Sequence, residues 1–238
     1  MIETYIFDLY GTLVDIRTDE SMPTLWRRMA LFLSLQGASY GQKELRRVYQ
    51  EAVAGEIDRC AARRPGVPRE HIEPDILQVF ESLYARKGVS ASPERVADAA
   101  LLFRTLSIRH IRLYPQAGEV LRTLRARGKG VYLLSNAQAA FTVPELNKLG
   151  LTPLFDGILL SSDAGVKKPD QAIFQQLLIQ YGLRPETCLM IGNDGTADIQ
   201  GAAAVGMESR YIHTSISPDR PASLPKTCRE IISLQELL

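Results

Sequence analysis

The chain has 238 residues, 45% of them hydrophobic and 23% charged, which is ordinary for a globular fold of one large domain or one domain with a sizeable insertion. Its 28 basic and 27 acidic residues leave a net charge of +1, so no strong field draws it to nucleic acid or to a membrane surface. No stretch approaches the roughly 20 apolar residues that span a bilayer.

The N-terminus enters a strand pattern at once, with no basic segment and apolar signal region ahead of it, and a cytoplasmic location is expected. Tyr5, Ile6 and Phe7 are β-formers that deliver Asp8 to the carboxyl end of a buried strand, where Gly11 and Thr12 turn the chain. Ligands of open α/β sheets bind outside the carboxyl ends of the strands, so Asp8 is a candidate nucleophile or metal ligand. Asp15 reads as a backbone cap in the turn that follows. Helical patterns then occupy 21–36, 40–54, 75–86 and 93–106, separated by Gly- and Pro-bearing breaks at 63–68 and 87–92, and no strand is expected between 17 and 108. Trp26 and Phe32 are expected to pack within these helices. Arg27, Arg28, Arg46, Arg47, Arg63 and Arg64 read as solvated faces or local ion pairs, with contact to an anionic substrate as the alternative.

A helix over 115–127 precedes a strand at 130–134. Further strands are expected at 155–160, 188–191 and 209–213. Between them fall a helix over 170–181, with Ile173, Leu177 and Tyr181 on one face, and a short helix over 199–205. Strands separated by helices of this length imply right-handed βαβ units. The fold class is therefore α/β, a Rossmann-like core with a mostly parallel sheet over 1–16 and 109–238, with a helical insertion over 17–108. His71, His110 and His213 are scattered. Cys60, Cys188 and Cys228 are odd in number, lack metal spacing and read as reduced thiols.

Four segments follow apolar runs of this core: Asp8-Leu-Tyr-Gly-Thr-Leu13, Ser135-Asn136, Lys168-Pro169 and Gly192-Asn-Asp-Gly-Thr-Ala-Asp198. Singly, each has a plain structural reading: Ser135 as a helix cap, Lys168 as a solvated loop residue, Asp194 and Asp198 as caps of the next helix. As an ordered set they resemble the four motifs of the haloacid dehalogenase-like hydrolase superfamily. Tyr114-Pro115, Gly165-Val-Lys-Lys-Pro-Asp170 with Phe174, and Asp198-Ile-Gln-Gly-Ala202 with Gly206-Met207 extend the resemblance. It covers 1–16 and about 110–215, and it implies that the helical insertion is a cap between motifs one and two.

The resemblance implies that Asp8 is the nucleophile, forming an aspartyl intermediate that water hydrolyses. Phosphoryl oxygens repel an anionic attacker, so fixed positive charge and directed donors are needed. Lys168 would supply the charge; Thr12, Ser135 and nearby backbone amides would supply the donors, with Gly11 and Asn136 also in the binding set. Mg2+ is the implied cofactor, held on hard oxygens: Asp8, the Tyr10 carbonyl, and Asn193 or Asp194. The Asp194 carboxylate is the better donor to a hard dication, and Asp198 would orient Lys168 or a metal-bound water. The implied reaction is hydrolysis of a small phosphorylated metabolite beneath a closing cap.

Tyr10 stands where metal-dependent phosphatases of this superfamily carry a second Asp, acid to the leaving alcohol and base to the water. A phenol with an ordinary pKa near about 10 does not replace that base. The Asp-x-Tyr-Gly-Thr-Leu form resembles the metal-free 2-haloacid dehalogenase branch, where halide leaves without a proton. That branch usually has Tyr where this chain has Phe174, and a Ser-rich fourth motif. Two alternatives therefore stand beside the phosphatase: a dehalogenase using Asp8 without metal, and a weakly catalytic phosphate-binding or regulatory module.

Overall fold

The computed structural model describes residues 1–238. Strand β1 (Thr4–Phe7) ends one residue before Asp8, and a turn leads into β2 (Val14–Thr18). Four helices follow: α1 (Pro23–Leu35), α2 (Gln42–Ala62), α3 (Ile76–Ala85) and α4 (Pro93–Ser107). β3 (Ile108–Leu113) returns antiparallel to β2, with Val14 opposite Leu113 and Ile16 opposite Ile111. Next come α5 (Ala117–Ala126), β4 (Gly130–Ser135), α6 (Ala139–Lys148), β5 (Gly157–Leu160), the single turn α7 (Ser161–Ala164) and α8 (Gln171–Tyr181). β6 (Cys188–Gly192) leads through a π-helical turn (Gly195–Gln200) into α9 (Gly201–Ala204), and β7 (Glu208–Ile212) and β8 (Cys228–Ile231) complete the sheet.

The six-stranded sheet has the order β5-β4-β1-β6-β7-β8, parallel throughout. A parallel sheet must be covered on both faces, and side-chain alternation along each strand supplies two apolar faces. Phe7, Leu133 and Ile191 pack on one side against Val120, Leu121 and Leu124 of α5. Their neighbours Ile6, Leu134 and Met190 point to the other side, against Ile173, Phe174 and Leu177 of α8. The strand order reverses at β1, so a crevice opens beyond its carboxyl end between the ends of β4 and β6.

Helices α1–α4 carry a core of their own, centred on Trp26, Tyr49, Phe80 and Phe103 with ring centroids 4.9–5.8 Å apart. Phe32 is half-buried at its margin. Besides packing on α6 through Phe141, this helical body meets the rest of the core at two further places. One is the β2–β3 hairpin. The other lies beside the Lys168 loop, where Lys167 N donates to the His71 carbonyl at 2.7 Å, Glu73 N to that of Gly165 at 3.2 Å, and Arg64 Nη2 to that of Ala164 at 2.7 Å.

Several local expectations change. α2 extends to Ala62 instead of ending at Ala54. The stretch read as free of strands begins and ends in strand, because Arg17 and Thr18 belong to β2 and Ile108 to β3. The short helix placed over 199–205 is a π turn followed by α9. α6, with Pro144 inside it, and β8 have no counterpart in the sequence reading. Asp15 caps no backbone. It pairs across the hairpin with His110 Nε2 at 3.0 Å and accepts from Arg112 Nε at 2.9 Å, and these hydrogen bonds hold its carboxyl below the usual range. Cys60, Cys188 and Cys228 are free, and no helix is long and apolar enough to cross a membrane.

Candidate active site

Asp8 continues β1 by one residue, and its amide donates to the Ile191 carbonyl at 2.9 Å, which ties it between the two central strands. The turn after it depends on Gly11, whose φ is +88° and whose missing side chain leaves room for Asn193; a Cβ there would collide with the Asn193 amide. Thr12 is thereby brought under Asp8, with Oγ1 at 3.4 Å from Asp8 Oδ2 and 3.3 Å from Asn193 Oδ1. From the end of β4, Ser135 Oγ donates to Asp8 Oδ1 at 3.1 Å. Neither Ser135 nor Lys168 takes its plain structural role.

Lys168 is 1% exposed at the side chain, and each proton of its ammonium has an acceptor: Asp8 Oδ1 at 2.8 Å, Asp198 Oδ1 at 2.6 Å and the Leu134 carbonyl at 2.8 Å. Burial opposes the charge, but Asp198 and Asp8 outweigh it and hold the ammonium above its ordinary value. Asp198 is itself buried, which pushes its carboxyl up against the pull of Lys168. Asn136 fixes the loop, accepting from Lys168 N at 2.7 Å and donating to the Lys168 carbonyl at 3.0 Å.

The fourth segment begins where β6 ends. A Cβ on Gly192 would strike the Asp198 carboxylate. Asp194 is the residue that caps, its Oδ1 accepting from Thr196 N and Ala197 N at 2.8 Å, while its own amide donates to Asp198 Oδ2 at 2.9 Å. The Asp194 carbonyl receives both Asp198 N at 3.0 Å and Ile199 N at 3.3 Å. This wide turn sets Asp198 against Lys168 while keeping Gly201 beneath the Phe174 ring, where a Cβ would clash. Asn193 bridges two loops, accepting from Thr12 and donating to Ser217 Oγ at 3.2 Å.

Asp8, Tyr10, Ser135, Asn136, Lys168, Asn193, Asp194 and Asp198 line one cavity of about 210 Å³, with Ala197, Ile216 and Pro218 at its rim. No group of three or more His, Cys, Asp or Glu side chains gathers as a cage for a metal. The cavity does offer two carboxylates, Asp8 and Asp194, beside the Asn193 amide and the Tyr10 residue. That hard-oxygen set fits an Mg2+ ion that keeps several waters.

The Tyr10 hydroxyl points elsewhere. It donates to Glu145 Oε2 at 2.5 Å and lies 3.0 Å from Thr142 Oγ1, both on α6. Arg104 of α4 grips the same carboxylate, Nε to Oε1 at 2.6 Å, with its guanidinium 5.6 Å from the Tyr10 ring centroid. Burial first, then the Glu145 charge, pushes the phenol well above its ordinary range, against a smaller pull from Arg104. A second cavity of about 350 Å³ shares Tyr10 and Asn136 with the first and lies between the helical body and the sheet, lined by Thr18, Glu73, Arg104, Gln138, Phe141 and Lys167 among others.

Sequence reasoning did not find Glu145, Thr142, Arg104, Glu73 or the 214–218 loop. Only the last had a signal: it leaves the carboxyl end of β7, on the edge where ligands bind, and Thr214 Oγ1 donates to the Gly11 carbonyl at 2.8 Å.

The sequence model of the haloacid dehalogenase-like hydrolases matches residues 2–206. The chain belongs to that family. This haloacid dehalogenase-like hydrolase is 30% identical to the phosphoserine phosphatase of Thermus thermophilus over 148 residues, 62% of the chain and 58% of the relative. The chain thus spans less than two thirds of that relative. It is 30% identical to the phosphoglycolate phosphatase of Yersinia pestis over 203 residues, covering 84% of the chain and 76% of the relative. A solved 2-haloacid dehalogenase from Pseudomonas syringae pv. Tomato superposes with a TM-score of 0.68 over 100% of this chain and 96% of the other, at 18% identity. That likeness is one of fold.

Proposed function

We propose that this hydrolase is a magnesium-dependent phosphatase that acts on a small phosphorylated metabolite through an aspartyl-phosphate, with residues 17–108 serving as the cap of a core formed by 1–16 and 109–238. The observation that carries the reading is the environment of Asp8. Its Oδ1 accepts from Lys168 and Ser135, whereas Oδ2 has only the long 3.4 Å contact with Thr12. Oδ2 is therefore the oxygen free to attack phosphorus, and the carboxylate sits beside a buried ammonium that offsets the charge of an incoming phosphoryl group. The Ser135 and Thr12 hydroxyls turn from Asp8 to phosphoryl oxygens as the ester enters. Mg2+, held by Asp8, Asp194 and the Tyr10 carbonyl, would neutralise phosphoryl charge. Asp198 keeps Lys168 in place.

The test is inorganic phosphate release from a panel of phosphorylated metabolites, with Mg2+ and with chelator. Release that needs Mg2+ and is lost in Asp8→Asn is the expected result; full activity in Asp8→Asn would overturn it. One observation favours a second reading. The Tyr10 hydroxyl is held by Glu145, and halide leaves carbon without needing a proton. Halide release from 2-haloacids in the presence of chelator would favour the dehalogenase.

A further inference from the structure

Hydrolysis of an alkyl phosphate needs a group that hands a proton to the departing oxygen, and the reaction cavity has none to spare. Its titratable side chains are Asp8, Tyr10, Lys168, Asp194 and Asp198. Lys168 has committed its three protons, and Asp198 accepts on both oxygens, from Lys168 and from the Asp194 amide. Asp194 spends Oδ1 on two backbone amides and offers the other oxygen to the cation in the reading above. Tyr10 already donates its proton to Glu145, and turning it toward the substrate would leave that carboxylate without its shortest partner beside Arg104. In the adjoining cavity Glu73 is an acceptor too, on Oε1 from Gln138 and on Oε2 from Ser161, and the cations Arg104 and Lys167 line that cavity and not the one around Asp8.

Resting on the phosphatase reading, we infer that this hydrolase cleaves phosphate compounds whose leaving group departs as a stable anion, acyl phosphates above all, and that its aspartyl-phosphate persists between the two half-reactions. In the first step Asp8 Oδ2 gives an electron pair to phosphorus, the bond to the leaving oxygen breaks, and that oxygen keeps the pair. A carboxylate leaves at a conjugate-acid pKa of about 4 and a phenolate at about 10; an alkoxide leaves far above both, near the value for water itself. Only the alkoxide depends on a donated proton. In the second step a water oxygen attacks phosphorus, the bond to Oδ2 breaks with its pair returning to Asp8, and the water proton passes to solvent. No side chain takes that proton as it leaves, so this step is the slow one. A positioned acid or base contributes about 10²–10⁴-fold, which sets the expected discrimination.

The experiment uses the full chain with Mg2+ and compares acetyl phosphate, phenyl phosphates of graded leaving-group pKa, and ethyl phosphate. The expected kcat/KM falls at least about 10²-fold from acetyl and 4-nitrophenyl phosphate to ethyl phosphate. Rapid mixing should show a nitrophenol burst near one equivalent per chain. Tyr10→Asp should raise the ethyl phosphate rate about 10²-fold more than the nitrophenyl rate and remove the burst. Tyr10→Phe, the variant closest in shape, should change aryl and alkyl rates by the same factor. Ethyl phosphate cleaved within about tenfold of acetyl phosphate would overturn the inference while leaving the phosphatase reading intact. So would a selective loss of alkyl turnover in Tyr10→Phe, and a missing burst would overturn the persistence of the intermediate. Silence toward every phosphate compound would instead overturn the phosphatase reading and this inference with it.

Discussion

Glu145→Ala removes the carboxylate to which Tyr10 and Arg104 both donate. Arg104 is 14% exposed at its side chain and Glu145 8%, so the abandoned guanidinium has little water to turn to. Breaking a buried ion pair by deleting one partner costs about 3–5 kcal/mol. Two features of the site favour the lower end, about 3 kcal/mol: Arg104 keeps its places near the Tyr10 and Phe141 rings at 5.6 and 5.5 Å, and the Tyr10 hydroxyl keeps Thr142 at 3.0 Å. In a chain of this size 1 kcal/mol shifts Tm by about 2–4 °C, so the drop should be about 6–12 °C. Urea denaturation of the wild type, Glu145→Met, Arg104→Met and the double variant Arg104→Met/Glu145→Met closes a cycle around the pair, with Glu145→Ala measured beside it. Replacing both charges by apolar side chains should bring stability back to within about 1 kcal/mol of wild type. A loss below about 1 kcal/mol in Glu145→Ala, or a double variant as unstable as the two singles added, would show that these groups do not act as a unit.

Gly11→Ala meets both a positive φ and the Asn193 side chain, so it should cost about 1–3 kcal/mol in urea melts and, by moving Thr12 and Asn193, cut phosphate release as well. Lys168→Met should lower phosphate release at least about 10²-fold; activity within a factor of a few of wild type would remove the ammonium from the proposed chemistry. Asp15→Asn should show a pH signature. Because the Asp15 carboxyl is held below its unfolded value, its contribution is present above about pH 4 and is lost as pH falls through the lowered native value. Arg112 is 74% exposed, so the wild-type advantage at pH 7 should be only about 1 kcal/mol, shrinking toward pH 3 in denaturant titrations; an advantage as large at pH 3 as at pH 7 would contradict the pairing.

The parts of the site that could be read from sequence are those written locally. Asp8, Ser135 and the residues after Gly192 each follow a short unbroken apolar run, the mark of a strand buried on both faces. Contacts made across the chain leave no comparable mark. Tyr10 meets Glu145 through a helix whose pattern Pro144 interrupts, and nothing near position 10 announces a carboxylate partner. The halves of the β2–β3 hairpin flank four helices, so neither looks like half of a hairpin, and Asp15 read as a cap because His110 and Arg112 could not be seen opposite it. Spacing alone left Asn193 and Asp194 equivalent. The π turn separates their tasks, giving Asp194 the cap and Asn193 the bridge between loops. Lysine is by habit a surface residue, and the burial of Lys168 emerges only when three strand ends bring three acceptors together.

The position of β1 has a consequence for how the chain is made. It is the first of the six strands of the sheet to be synthesised, yet Thr4 lies beside Gly130 on one flank and Cys188 on the other. At about 5–20 residues per second, β4, the earlier of its two neighbours, is synthesised roughly 6–25 s after it. During that interval Tyr5, Ile6 and Phe7 form an apolar segment with no sheet to join, the kind of exposed strand that pairs with other chains. Helices α1–α4 bury their four central aromatic rings against one another, with Phe141 of α6 the later residue buried in the same cluster. They can assemble while β1 waits, so the nascent chain is exposed to mispairing chiefly at the strand that will carry Asp8.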